Sequence, residues 1–226
     1  MIPLRDENPT ERFAFVVLII IILNVLVFIY ELSLGEELIK KIYTLGVVPY
    51  RFFREFNLGN FLTLFTSLFL HGGLGHLVGN MLYLWIFGNN IEDRIGHFRF
   101  IVFYLLCGIT ASLIQSLFSF NSKLPMIGAS GAISGVLGAY LILYPRARVL
   151  VLVPLFYMWR TIKVEAVWFL VFWIILRILY GGGTFFLAGV EAQGGVAWFA
   201  HIGGFFSGIL FLKSFLKKNK RNYFYV

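Results

Sequence analysis

The sequence predicts an all-α membrane protein, a bundle of six transmembrane helices with both termini cytoplasmic, although the short fifth run and the ambiguous stretch 149–159 also allow a count of five or seven. Three observations carry that prediction. The 226 residues are 59% hydrophobic and only 13% charged, with a mean hydropathy of +0.84, whereas soluble domains carry roughly a quarter charged residues. The 26 Phe and 11 Tyr suit both lipid and its aqueous interface. Apolar runs also recur along the chain, most of them near the roughly 20 residues that cross a hydrocarbon core.

Those runs fall at 13–32, 74–89, 99–120, 129–144, 166–180 and 196–214. The first follows Arg5, Asp6, Glu7, Glu11 and Arg12 rather than a cleavable signal pattern, and reads as a retained anchor. Segment 33–70, rich in Phe and Leu and containing Pro49, reads as a long first extracytoplasmic loop lying partly in the interface. The run "VLVLVPLFYMW" (149–159) holds Pro154 and precedes Arg160 and Lys163, which places it at the interface. Residues 1–226 then form one membrane-embedded domain with short tails at 1–12 and 215–226.

Lys and Arg set the orientation. Arg5, Arg12, Arg94, Arg99, Arg146, Arg148, Arg160, Lys163, Lys213, Lys217, Lys218, Lys220 and Arg221 fall on one side, against Lys40, Lys41, Arg51, Arg54 and Lys123 on the other. The first side is cytoplasmic by this rule. Topology therefore accounts for the net charge of +8, and no nucleic-acid partner is needed. Arg177 lies within the fifth run, near its outer end, where its side chain can snorkel. The single cysteine, Cys107, excludes an intrachain disulfide and reads as a small buried hydrophobe.

With this orientation the second, fourth and sixth runs begin in the outer half of the bilayer. His76 and Asn80, four residues apart on one helix face, open the second. Ser130 opens the fourth, and His201 lies one turn into the sixth. His71 sits off the His76 face, and His97 falls in a cytoplasmic loop and reads as solvated. Singly, each group has an ordinary explanation: Ser130 as a helix N-cap, Asn80 as a bridge between helices, His201 bonded to a carbonyl. Four polar groups at one depth point instead to function, because polar groups inside a membrane are costly. Gly131 and Gly135, like Gly204 and Gly208, are small-xxx-small pairs that let two helices approach closely. That approach would bring Ser130 and His201 together.

A serine hydroxyl needs a base to become a nucleophile, and His201 is the candidate. Asp6 and Asp93 lie in cytoplasmic segments and glutamates avoid the outer-half helices, so the pattern reads as a Ser–His dyad without a carboxylate. The Ser130 N–H at a helix start, with His76 and Asn80, would supply oxyanion donors. Other hydrolase designs fail on spacing. No H-E-x-x-H is present, two cytoplasmic aspartates make no intramembrane dyad, and "GASGA" is not G-x-S-x-G. A metal site from His71, His76 and His201 would leave Ser130 idle.

These motifs resemble those of the rhomboid family of intramembrane serine proteases, over about 71–208. "HGGLGHLVGN" resembles the family's second-helix motif, with His76 and Asn80 at oxyanion positions. "GNNIEDRIG" resembles its G-x-x-x-E-x-x-x-G segment, with Glu92 and Arg94 in structural places. "GASG" resembles the G-x-S-G nucleophile motif, with Gly128 beside the oxyanion, and "AHIGGFFSG" the motif carrying the base. Two departures stand out: "NFLTLF" (60–65) where many members have Trp-Arg, and Ser134 where some have a tyrosine beneath the histidine.

The resemblance implies a rhomboid-like six-helix fold and no cofactor. Its substrates would be transmembrane segments of other proteins, entering laterally from the lipid bilayer past "VWFLVFW" (167–173). It also implies a cap loop over 181–195 hinged at Gly181–Gly183. With no transit peptide or extra domain, a prokaryotic cytoplasmic membrane is the expected location. A non-catalytic binder or shuttle of transmembrane helices on the same scaffold is the alternative, against which Ser130 and His201 argue. A small transporter would place its polar groups at the bilayer midplane instead.

Overall fold

The computed structural model describes residues 1–55, 57–155, 158–188 and 197–216. In chain order the elements are strand β1 (Ile2–Asp6), helices α1 (Phe15–Ser33), α2 (Leu38–Leu45), α3 (Pro49–Arg54), α4 (Leu58–Thr66), α5 (Leu74–Ile95), α6 (His97–Phe118) and α7 (Ser130–Leu143), strands β2 (Arg148–Leu155) and β3 (Met158–Glu165), and helices α8 (Ala166–Ala188) and α9 (Trp198–Phe215). The apolar runs anticipate α1 and α5 to α9. By length and composition, however, the described residues hold four spans: α1, α6, α8 and α9. A fifth is added if Leu58–Phe69 and α5, bent by 80°, count as one. Helix α5 carries Glu92, Asp93 and Arg94, which lowers its hydropathy. Helix α7 has only 14 residues, a rise of about 21 Å against a core of about 30 Å.

Helix α7 has its place because other helices surround it. Every residue from Gly131 to Tyr140 is buried, and α6, α5 and α9 pack around it. Its short length sets Ser130 below the ends of its longer neighbours. The segment 33–70, read as a loop, is largely helical, comprising α2 to α4 and two 3-10 turns.

One carboxylate organises the start of the bundle. Glu92, fully buried, accepts hydrogen bonds from the N–H groups of Val16 (3.0 Å) and Val17 (2.7 Å). These are orphan donors of the first turn of α1, so a side chain 75 residues away in sequence caps the helix. His97 Nδ1 lies 2.6 Å from the same carboxylate, and its ring packs on Phe15. His97 is therefore a structural partner rather than a solvated loop residue. Asp93 accepts from the N–H groups of Glu11 and Arg12. Within "GNNIEDRIG", Glu92 and Asp93 both hold backbone N–H groups at the start of the chain.

The sequence reading contained no sheet, yet β1, β2 and β3 form an antiparallel one in that order. The interfacial run is a β-hairpin, and residues 2–6 of the supposed tail pair with it. Val149 and Val151 point inward and are fully buried, the period-2 signature of a strand. Asp6 locks β1 to the bundle by accepting from Tyr140 Oη (2.6 Å) and Asn90 Nδ2 (2.8 Å). Burial raises its carboxyl above the usual range. Beside it, a hydrogen bond from Lys163 lowers that of Glu7. With Arg99 Nη1 donating to Phe215 O, the starts of α1, α6 and α8 and the ends of α5, α7 and α9 gather at the sheet end.

Replacing Glu92 with Ala strands two buried N–H groups of α1. The expected cost is about 3 kcal/mol, read as a lower thermal unfolding midpoint in detergent. A variant melting with the wild type would contradict the capping role.

Candidate active site

At the end of the bundle away from the sheet, a cavity of about 740 Å³ is lined by Ser130, His201, His76 and Asn80. The four groups singled out in the sequence therefore share one enclosure, contributed by α5, α7 and α9. Asn80 and His201 are each 8% exposed.

The approach of α7 to α9 depends on absent side chains. Gly204 packs on the Gly131 carbonyl, Gly208 on the Gly135 carbonyl and Gly138 on the Phe205 carbonyl, each so closely that a Cβ would overlap backbone. On its other side, Gly135 abuts buried Cys107 of α6. The two small-xxx-small pairs thus face each other, and α7 with α9 forms the most extensive helix contact among the described residues.

Ser130 is the first residue of α7. The N-cap position belongs to Ala129, with no side-chain cap bond, so Ser130 does not serve as the N-cap. Gly128 precedes it at φ 117°, with its N–H donating to Ser67 O (2.8 Å). A Cβ there would lie 2.8 Å from His76 Cε1. The backbone angle thus favours glycine at this position, and a side chain there would displace the His76 ring. The backbone before Ser130 consequently lies against His76, with the Asn80 amide just beyond.

His201 is held by neighbours that sequence reasoning missed. Gln115 Oε1 of α6 accepts from the Ala200 N–H (3.1 Å), fixing the first turn of α9. The imidazole meets Trp173 of α8 at 6.0 Å and Trp198 at 6.3 Å, both edge-on. These indoles flank the histidine where the resemblance raised a tyrosine. Ser134, at that tyrosine's position, donates to Ser130 O (2.6 Å) and braces α7 instead. No hydrogen bond joins Ser130 to His201; the two occupy the same cavity wall without closing the pair.

Three buried polar atoms of cavity-lining residues have no hydrogen-bond partner among the described residues: Asn80 Nδ2, His201 Nδ1 and Arg177 Nε. Asn80 is therefore not spent on an interhelical bridge, and among the described residues no carboxylate meets His201. A carboxylate does sit in this half of the molecule, contrary to the sequence reading. Glu31, 2% exposed at the end of α1, accepts from the His71 N–H at 3.2 Å. His71 in turn packs edge-on against His76. Glu31 thus supports the lead into α5 and does not line the cavity. Its missed signal was its position at the far end of an inside-to-outside run. Among the described residues, no three His, Cys, Asp or Glu side chains converge as a metal site requires.

The proposed hinge at Gly181–Gly183 is helical, since α8 continues to Ala188. The rest of the supposed cap loop, 189–195, lies outside the described residues. In 167–173, Trp168 and Phe172 face outward, while Phe169, Leu170 and Trp173 turn toward the bundle. Arg177 does not snorkel away from the protein but lines the cavity.

The Ala200 N–H is shared between Gln115 Oε1 (3.1 Å) and Ala197 O (3.2 Å), so Gln115→Leu removes the acceptor that ties α9 to α6 and leaves the one within the chain's own turn. The substitution should cost about 0.5–1.5 kcal/mol in thermal unfolding. An unchanged midpoint would show that Gln115 does not hold α9.

A family model for the Rhomboid domain matches residues 58–218. The chain is 31% identical over 204 residues to the rhomboid protease GluP of Bacillus subtilis, covering 90% of this chain and 34% of that protein. It is 34% identical over 163 residues to RHOMBOID-like protein 1 of Arabidopsis thaliana, covering 71% and 36%. It is 37% identical over 91 residues to the mitochondrial Rhomboid protein 1 of Saccharomyces cerevisiae, covering 38% and 26%. The chain thus spans about a third of the length of the first two relatives and about a quarter of the third. Its apolar helices and these relatives make it an integral, multi-pass membrane protein. With the domain match covering more than two thirds of its residues, the chain belongs to the rhomboid family.

Proposed function

We propose that the protein is an intramembrane serine endopeptidase that cleaves transmembrane segments of other proteins with a Ser130–His201 dyad. The observation that carries this reading is the pair of unpartnered buried atoms, Asn80 Nδ2 and His201 Nδ1, at a cavity that Ser130 also lines. A buried donor without an acceptor costs about 1–3 kcal/mol, and a site built for a developing oxyanion has a use for it.

In the reaction, His201 takes the proton from Ser130 Oγ as the oxygen attacks the scissile carbonyl carbon. The carbonyl oxygen becomes an oxyanion that accepts hydrogen bonds from the Ser130 N–H, Asn80 Nδ2 and His76. The imidazolium then gives its proton to the leaving amine, the C–N bond breaks, and an acyl-enzyme remains. Water, deprotonated by His201, hydrolyses the ester and returns Ser130. Gly128 keeps the oxyanion wall open, because a side chain there would strike His76. Trp173 and Trp198, packed edge-on, orient the imidazole.

The same reading sets the protein in its membrane. The sheet end collects the Lys and Arg excess and is cytoplasmic, with both termini on that side. The cavity then opens in the extracytoplasmic half. Six segments cross or enter the bilayer, with α7 held inside by its neighbours, and a prokaryotic cytoplasmic membrane is the setting.

Reconstituted with a single-span substrate, wild type should produce two fragments. Ser130→Ala and His201→Ala should produce none, and Asn80→Ala should be slowed about 10²–10³-fold. Equal processing by wild type and Ser130→Ala would overturn the dyad and leave the binding or shuttling role.

A further inference from the structure

Arg177 is the only Lys, Arg, Asp or Glu lining the cavity among the described residues. A cation in a membrane-embedded cavity is costly and needs a reason to be there. Its guanidinium is held between two indoles, 5.0 Å from the Trp173 ring centre and 5.2 Å from that of Trp198. Aromatic faces hold a cation by their quadrupole without neutralising it. No salt bridge or hydrogen bond to Arg177 occurs among the described residues, and its Nε is buried without a partner. The flanking Trp173 and Trp198 also flank His201. One aromatic pair therefore fixes both a candidate base and an uncompensated cation.

We infer that Arg177 is a specificity-determining residue that pairs with a carboxylate on the substrate, next to the bond to be cut. A planar guanidinium with free donors matches a carboxylate in geometry as well as charge. The reach is bounded. The Trp173 ring centre lies 6.0 Å from the His201 ring and 5.0 Å from the Arg177 guanidinium, so guanidinium and imidazole are at most about 11 Å apart. Extended chain advances about 3.3–3.6 Å per residue, so the acidic residue falls within about three residues of the scissile bond. The preferred substrates are then transmembrane proteins carrying Asp or Glu near the extracytoplasmic end of the span. This rests on the protease reading above.

The test is a substrate series in phosphatidylcholine liposomes, with Asp, Asn or Lys placed in turn at each of the three residues on either side of the cut. For wild type, Asp at one or more positions should raise kcat/KM about tenfold over Asn, and Lys should lower it. Arg177→Glu should reverse the order, favouring Lys, and Arg177→Lys should keep the direction with a smaller ratio. Wild-type cleavage that depends on Ser130 but ignores charge at all positions would overturn this proposal alone. A preference that survives Arg177→Glu would also overturn it. Absence of cleavage from every substrate would remove the protease reading and this proposal with it. Glu191, outside the described residues, supplies a control: if Glu191→Gln creates a preference that wild type lacks, Arg177 is paired within the chain and the proposal fails.

Discussion

The close approach of α7 to α9 is the constraint on which the rest of the site depends. Three glycines, Gly138, Gly204 and Gly208, each rest on a backbone carbonyl of the facing helix. No other residue leaves room for that contact. In lipid there is little hydrophobic gain from bringing helices together, so association depends on packing at short range. The seam supplies it, and its upper end carries Ser130 on one helix and His201 on the other. Separating these helices by one methyl group would move the two side chains apart before it exposed any core residue.

The surroundings of the seam divide into two ends with different chemistry. At the sheet end, charged and polar groups are satisfied: Glu92 by two N–H groups and His97, Asp93 by two more, Asp6 by Tyr140 and Asn90. At the cavity end, Asn80 Nδ2, His201 Nδ1 and Arg177 Nε are buried without partners among the described residues. Satisfied polar networks rigidify, while unsatisfied ones store cost. One end therefore anchors the bundle, and the other holds the unpaired donors on which the proposed function rests.

Much of this was legible in the sequence, for reasons that can be traced. Long apolar runs report helices directly, and rare polar residues within them report a shared depth once the Lys and Arg bias sets direction. The glycine pairs reported the seam. The sheet was hidden because "VLVLVPL" is apolar on both faces and shows no alternation. Its partner strand β1 is also more than 140 residues away in sequence. Glu92 as the cap of α1 and Gln115 as the support of α9 were hidden similarly, since each acts across a tertiary contact. Glu31 was overlooked because it ends an apolar run. The role of Arg177 appeared only with the two indoles in place, because snorkelling and facing a cavity use the same residue at the same depth.

The proposed dyad requires His201 to make the Ser130 oxygen nucleophilic. Its most direct measurement is covalent labelling by a fluorophosphonate, with the adduct located by peptide mass spectrometry. A single adduct on Ser130 is expected in the wild type, with its loss in His201→Ala protein that still melts as a folded bundle. Labelling of Ser130 at the same rate without His201, or an unlabelled Ser130 in wild type that cleaves substrate, would contradict it.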